Sequence, residues 1–179
     1  ENGIAAYGVM MYVSFVFIAV FIGYAIGSAP IVGFHYGAGN HSELKSLLRK
    51  SLTLTVLAGV AMTALSVALA TPLSGIFVGY DEGLYELTRR GFLLYSVSFL
   101  FSGFAIFGSS FFTALSNGPV SAAISFLRTL VFQAAAVFTL PLILPGTDGV
   151  WLAVVAAEAM ALAGSVFFFV KLKDRDQYA

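Results

Sequence analysis

The chain has 179 residues, no cysteine and few charged residues. Without cysteine it can form no disulfide, and it has no thiol for catalysis or for a metal site. Charged residues make up 10% of the chain, whereas a soluble domain averages about 25%. A chain with so few ions cannot cover a water-facing surface, so most of its surface is expected to face lipid or other apolar helices.

Hydrophobic residues, in contrast, make up 59% of the chain, and the mean hydropathy is +0.94. The segment from Ile4 to Phe34 contains no charged residue. Its length exceeds the roughly 20 residues that a helix needs to cross a bilayer. Four similar runs follow. We predict spans at about 4–34, 51–78, 91–115, 120–144 and 150–170.

None of these runs shows the period of two that is typical of strands. Backbone polar groups in lipid must be satisfied within the segment, so each run is expected to be a helix. The sequence therefore predicts an all-α integral membrane protein with five transmembrane helices, in which residues 1–179 form a single transmembrane region. The chain begins with glutamate rather than methionine, inside a hydrophobic pattern and without signal-peptide features. We interpret it as a fragment whose N-terminal part is missing.

The distribution of charge predicts the orientation. Bases cluster after the first and last spans, and the two intervening loops on the other side are mainly acidic. By the positive-inside rule, Glu1 is expected outside and the C-terminus in the cytoplasm, with the protein in the plasma (cytoplasmic) membrane. The bases on the predicted cytoplasmic side are Lys45, Arg49, Lys50, Arg128, Lys171, Lys173 and Arg175. The charged residues on the opposite side are Asp81, Glu82, Glu86, Arg89, Arg90 and Asp148.

Glu158 lies near the middle of the last predicted span. A charge at that depth costs roughly 2.5–3.5 kcal/mol on insertion scales, so it is expected to be paired, neutralised or exposed to a cavity. Burial raises the pKa of a carboxylate, which would let it carry a proton and release it. Two interpretations stay open, a coupling residue of a transporter and a protonated structural residue bonded to a neighbouring helix.

Arg128 and Gln133 are the polar residues of the fourth span that could accompany Glu158. Counting 1.5 Å per residue puts Arg128 roughly 10 Å and Glu158 roughly 18 Å from the cytoplasmic side. The long guanidinium side chain would bridge that difference, or it would extend to the headgroups instead. Gln133 would either line a cavity or join two helices.

No cluster of metal ligands, phosphate-binding loop or nucleophile–base pair is visible in the sequence. We therefore expect no enzyme activity, metal, cofactor or nucleic-acid partner. Gly23 and Gly27 have the spacing that permits close helix packing. Asn40 followed by Glu43 resembles a capping box, which predicts that a new helix begins there.

Five stretches also carry a resemblance to a known family: AAYGV (Ala5–Val9), IGSAPIVGFHYGAGN (Ile26–Asn40), the basic segment Leu47–Ser51, ALSNGPVSAAISFLR (Ala114–Arg128) and GVWLAVVAAE (Gly149–Glu158). Together they resemble the multidrug and toxic compound extrusion (MATE) family, in the order and spacing of the last five helices of its C-terminal half. The most specific piece is the glycine-rich end of the first span. It supplies the family turn motif Pro30, Gly37, Ala38, Gly39 and Asn40.

The resemblance implies a twelve-helix transporter of two six-helix lobes around a central cavity, of which this chain is part of the C-terminal lobe. Such proteins export drugs and other organic compounds, often cationic, in exchange for protons or sodium ions. The implied partners are membrane lipid, a small organic substrate and the missing N-terminal lobe of the same polypeptide. Glu158 transfers as the acid that follows Gly-Val-Trp, with Arg128 and Gln133 as its candidate neighbours at the coupling or substrate site.

Two alternatives remain. A lipid-linked oligosaccharide flippase shares the same general architecture, but it should present bases for a pyrophosphate, and this chain offers Arg128 alone. A structural membrane subunit without a substrate would have no reason to keep Glu158 in mid-membrane unless the residue is paired.

Overall fold

The computed structural model describes residues 2–178, which contain five long helices joined by short turns. Each helix is long and apolar enough to cross a membrane, which confirms the predicted all-α fold with five spans. The expectation for Glu1 concerns a residue outside the described range. The helices are α1 (Asn2–Gly37), α2 (His41–Val78), α3 (Glu82–Ala114), α4 (Gly118–Ile143) and α5 (Thr147–Asp176).

Side-chain caps fix two of the helix starts. Asn40 precedes α2 and accepts a hydrogen bond from the backbone N–H of Glu43 at 3.3 Å. Asp81 precedes α3 and accepts one from the N–H of Leu84 at 2.9 Å. Both bonds satisfy an N–H that has no partner within its helix. The N–H of Asn40 donates to His35 instead of to the Glu43 side chain, so only one half of the expected capping box forms.

α3 occupies the centre of the bundle, and α1, α2 and α5 pack around it. α4 packs mainly on α5 and on the second half of α3. Two apolar clusters lie towards opposite ends of the bundle. One surrounds Phe111 and Phe112 of α3 and includes Leu44 of α2, whereas the other surrounds Phe99 of α3 and Trp151 of α5. Aromatic side chains therefore supply much of the contact between α3 and its neighbours.

Glycine permits close helix contacts at positions in α2 and α3. A Cβ added to Gly103 would lie 2.6 Å from the ring of Phe21 and 2.7 Å from the methyl carbon of Thr55. A Cβ on Gly59 would lie 3.0 Å from the carbonyl oxygen of Phe99. At Gly23 and Gly27, by contrast, an added Cβ meets no described atom within 4 Å. The glycine pair with the recognised spacing thus makes no close helix contact among residues 2–178.

The end of the chain folds back on the bundle. Gln177 adopts a left-handed conformation with φ of 51°, which turns Tyr178 towards Phe111 and Phe112. The hydroxyl of Tyr178 donates to the carbonyl oxygen of Phe169 at 2.8 Å. These contacts join the end of α5 to the end of α3.

Candidate functional site

The most prominent polar contact inside the bundle is an ion pair between Arg128 of α4 and Glu158 of α5. Nε of Arg128 donates to Oε2 of Glu158 at 3.0 Å, and Nη2 donates to Oε1 at 2.8 Å. The side chains are only 17% and 9% exposed, respectively. Two parallel charge-assisted bonds of this kind hold both groups in one plane. Of the two alternatives for Arg128, the structure therefore shows the guanidinium paired with Glu158.

The backbone of α4 changes geometry where Arg128 lies. The segment Leu127–Phe132 is a π-helix between two α-helical parts, Gly118–Phe126 and Gln133–Ile143. A π turn contains one more residue than the usual spacing allows, and such turns are frequent at functional sites. The segment contains no glycine or proline. The irregular turn is thus located at the one base of the predicted span.

Small side chains on α5 bring α4 close to Glu158. Ala153 and Ala157 of α5 are buried and form a cluster with Ala136 of α4. Alanine lets two helices approach each other, because its side chain is a single methyl group. Glu158 directly follows Ala157 and is buried. The alanine face explains how a carboxylate on α5 comes within direct reach of a base on α4.

Pairing changes the energetics of both groups. An isolated charge in the bilayer interior is expensive, and the two opposite charges here compensate each other. Even so, a buried pair contributes little to stability compared with apolar residues of the same volume, because both ions lose their hydration. Removal of one partner is far more damaging than removal of both. Because stability gives little reason to keep such a pair, the pair is a candidate for a functional role.

Gln133 does not join the pair. It begins the α-helical part of α4 that follows the π segment, and it is partly buried. Its side chain makes no hydrogen bond to another residue in the 2–178 range. The structure therefore brings together two of the three predicted site residues.

A row of hydroxyl groups lies between α3 and α4, near the ion pair. The hydroxyl of Ser109 lies 2.9 Å from that of Ser121 and 2.7 Å from that of Ser125. Thr113 extends the row, with its hydroxyl 2.7 Å from that of Ser121. These four side chains form one connected hydrogen-bond network across the helix interface.

Next to this network, a groove of about 270 Å³ opens between α1, α3 and α4. Its wall is apolar on the α1 side and carries hydroxyls and one base on the α3 and α4 side. The lining residues are Ile22, Ala25, Ile26, Ala105, Ile106, Ser109, Ser110, Ser125, Arg128 and Thr129. Arg128 thus belongs both to the buried ion pair and to the wall of an open groove.

Sequence reasoning missed the hydroxyl network and the groove. A signal was present: Ser121, Ser125 and Thr129 recur every four residues along α4, and Ser109 and Thr113 have the same spacing on α3. Residues four apart share a helix face. Two such rows predict two polar faces, but their contact depends on how the helices pack.

The turn motif forms the junction between α1 and α2. Gly39 has φ of +66°, the N–H of Asn40 donates to the carbonyl of His35, and the N–H of Gly39 donates to that of Tyr36. This is the Schellman pattern, in which a left-handed residue lets the chain leave the helix and satisfies its last carbonyls. Ala38 donates to the carbonyl of Phe34. The other motif residues, Pro30 and Gly37, lie inside α1.

The junction between α3 and α4 repeats this hydrogen-bond pattern. The N–H of Asn117 donates to the carbonyl of Phe112, and that of Ser116 donates to the carbonyl of Thr113. Ser116 has φ of 58° and so takes the conformation that glycine takes in the first junction. The two turns have equivalent geometry, although only one of them has glycine at the left-handed position.

The described residues contain no group of three or more His, Cys, Asp or Glu side chains that could hold a metal ion. The acidic residue that is buried within the apolar part of α5 is Glu158. In the ionised state its two oxygens accept hydrogen bonds, and in the protonated state one of them becomes a donor.

Comparisons with known proteins agree with this architecture. The family model described as MatE matches residues 1–139, which is more than half of the chain. The comparison with curated proteins gave no match.

The chain is also similar to a solved structure described as "Crystal structure of MATE in complex with MaL6". The TM-score is 0.82 at 20% sequence identity, and the alignment covers 98% of this chain and 39% of that chain. At this identity the likeness shows the fold. Because the alignment covers only 39% of the solved chain, this chain spans well under half the length of the protein it matches.

Proposed function

The chain belongs to the MatE family of membrane transporters, and we propose that it is part of a secondary antiporter that exports drugs or other organic compounds in exchange for protons or sodium ions. The observation that carries this proposal is the buried pair of Arg128 and Glu158 at the interior of a membrane-spanning bundle. An ionisable residue within a membrane is a functional candidate by default. The family match also favours the extrusion family over the flippase alternative.

In this proposal Glu158 is the coupling carboxylate. Proton binding to Glu158 removes its negative charge, so the two charge-assisted bonds to Arg128 weaken and α4 is held less firmly against α5. A sodium ion would act in a related way, because it would compete with the guanidinium for the same oxygens. A bound ion thereby favours one of two arrangements of the helices, as coupled transport requires.

The π segment is the part of α4 that would change conformation when Glu158 binds an ion. Its irregular turn lies directly at Arg128, between two regular helical parts. A change in the bond to Glu158 would act on this turn and shift the two parts relative to each other. Gln133, which begins the second part, is proposed as a cavity-lining neighbour of the coupling site.

The orientation and the rest of the protein are part of the proposal. We propose that the end of α5 lies in the cytoplasm, which the positive-inside pattern favours, and that the bundle lies in the plasma (cytoplasmic) membrane. The remainder of a twelve-helix polypeptide, including an N-terminal lobe, would complete the cavity. The turn at Gly39 and the turn at Ser116 then lie on the cytoplasmic side.

Substitution of Glu158 by glutamine in the full-length protein tests the coupling role. Glutamine keeps the shape and most of the hydrogen bonding but cannot release a proton, so proton-driven export from reconstituted vesicles should be lost while expression and folding remain. Glu86→Gln is the matched control, since Glu86 is an exposed residue that pairs with Arg89. If Glu158→Gln exports a substrate with an unchanged dependence on the ion gradient, Glu158 is not the coupling residue.

A further inference from the structure

The groove between α1, α3 and α4 presents one charged residue to its interior, and that residue is a base. Arg128 is the charged member of the lining, and no acidic residue is found among the described residues that form the wall. Glu158 uses Nε and Nη2 of the guanidinium. Nη1 makes no hydrogen bond to another residue within 2–178, so its two N–H groups are free to bind an acceptor.

The hydroxyls of the groove complement this base. Ser109 and Ser125 lie on opposite sides of the α3–α4 contact, with their hydroxyl oxygens 2.7 Å apart, and both line the groove with Arg128. The two hydroxyls share one hydrogen bond, so one of them donates to the other. The second hydroxyl keeps its own hydrogen, which can rotate to donate to an oxygen in the groove. The remaining wall is mostly aliphatic. Such a site fits an apolar body that carries an acceptor oxygen.

The depth of Arg128 identifies the source of such a group. Arg128 is ten positions into α4 from Gly118, which corresponds to about 15 Å along the helix axis. Because α4 is longer than the roughly 30 Å core of the bilayer, part of that distance lies outside the core, and Arg128 lies roughly 10 Å inside it from the cytoplasmic side. Lipid headgroups do not reach this level. A ligand that contacts Arg128 must therefore enter the groove with its apolar body, which fits an organic solute.

We propose that this groove binds the carboxylate of an organic solute, with Nη1 of Arg128 and one hydroxyl of the hydrogen-bonded Ser109–Ser125 pair donating to the carboxylate, and with the aliphatic wall holding the apolar body. A carboxylate has the planar pair of oxygens that a guanidinium edge and neighbouring hydroxyls accommodate. The inference deepens the proposed function, since the solute would be a transported compound. It concerns binding alone, and binding is measured without an ion gradient.

Equilibrium binding to the purified full-length protein in lipid nanodiscs tests this site. The probe is naphthalene-2-carboxylate, and naphthalene-2-carboxamide is its neutral counterpart of similar shape. A hydrogen bond to a charged group contributes about 1.5–3 kcal/mol, so the carboxylate should bind about tenfold to a hundredfold more tightly than the amide. The double variant Ser109→Ala with Ser125→Ala should bind the carboxylate about fivefold or more weakly. The control is Ser102→Ala, at a buried serine of α3 outside the groove, which should leave the affinity for the carboxylate unchanged.

Two charge variants separate the site from the integrity of the fold. Glu158→Gln leaves Arg128 without its counter-ion, so carboxylate binding should become about tenfold tighter. The double variant Arg128→Gln with Glu158→Gln removes both charges, and the preference for carboxylate over carboxamide should disappear. Equal binding of the two probes to the unmodified protein, or equal carboxylate binding by all variants, would overturn the proposal. Failure of ion-driven export alone would contradict the antiport proposal and leave this one standing.

Discussion

The third and fourth helices are both apolar spans, yet they have opposite places in the bundle. In their most apolar stretches, 61% of the α3 residues are buried within the bundle but only 6% of the α4 residues. α3 contacts α1, α2 and α5, whereas α4 rests on α5 and one half of α3. The central helix holds the fold together, and the peripheral helix carries the base, the π turn and one side of the groove.

Polar residues of these helices are satisfied in two different ways. Ser102 of α3 and Thr88 near its start are buried, and each donates to a carbonyl one turn earlier in the same helix. Such groups are satisfied locally and leave the helix surface apolar. Arg128 and Ser125 of α4 instead bond to residues of other helices. A polar group that needs a partner on another helix makes its site depend on the packing of that helix.

The largest effect is expected when Arg128 alone is replaced. Arg128→Ala leaves Glu158 buried beside no base, and an unpartnered buried charge costs about 3–5 kcal/mol. The free energy of unfolding, from SDS titration of the purified full-length protein, should fall by about that amount. Arg90→Ala is the control, because it breaks a pair with Asp148 in which Arg90 is 67% exposed; its cost should be about 1 kcal/mol or less. Equal losses in the two variants would contradict the deeper burial of the Arg128–Glu158 pair relative to the Arg90–Asp148 pair.

The central helix should be sensitive to added volume. Gly103→Ala places a methyl group against Phe21 and Thr55, which are both buried, so we expect a destabilisation of about 1–3 kcal/mol. Gly27→Ala on α1 is the matched control, because an added Cβ meets no described atom there and alanine favours the helix by about 1 kcal/mol. Thermal unfolding of both variants measures the difference. A neutral Gly103→Ala would contradict the close approach of the three helices.

Exchange of serine and glycine at the left-handed positions of the two Schellman turns should change the stability in opposite directions. Ser116→Gly should stabilise the protein by about 0.5–1 kcal/mol, because glycine adopts positive φ without steric cost. Gly39→Ser should destabilise it by a similar amount. Thermal unfolding measures both, and the same sign for the two variants would contradict the assigned backbone conformations.

The smallest expected effect concerns the cap of α2. Asn40→Ala removes the bond to the N–H of Glu43, and loss of such a cap costs about 0.5–1 kcal/mol for an exposed helix start. Asn40→Asp, which keeps the acceptor, should retain the stability of the unmodified protein. Comparable losses in the alanine and aspartate variants would show that the side chain does not cap the helix.

The sequence predicts the five helices well, because each is a long apolar run with breakers at its ends. It also indicates Glu158, since a lone acid in a span is unusual, and it offers Arg128 as one candidate partner. The bidentate contact itself depends on the alanine face of α5 and on the π turn, and neither has a periodic signature. The glycines show the same limit: Gly23 and Gly27 have the recognised spacing, yet close contacts form at other glycines, such as Gly59 and Gly103.

A double-mutant cycle on Arg128 and Glu158 tests the central claim most directly. The free energies of unfolding are measured for the full-length protein, for Arg128→Ala, for Glu158→Gln and for the double variant. A direct buried pair predicts that the double variant loses less than the sum of the two single losses, with an interaction free energy of about 1–3 kcal/mol. Additive losses would contradict the pair, and with it the proposal that Glu158 acts through Arg128.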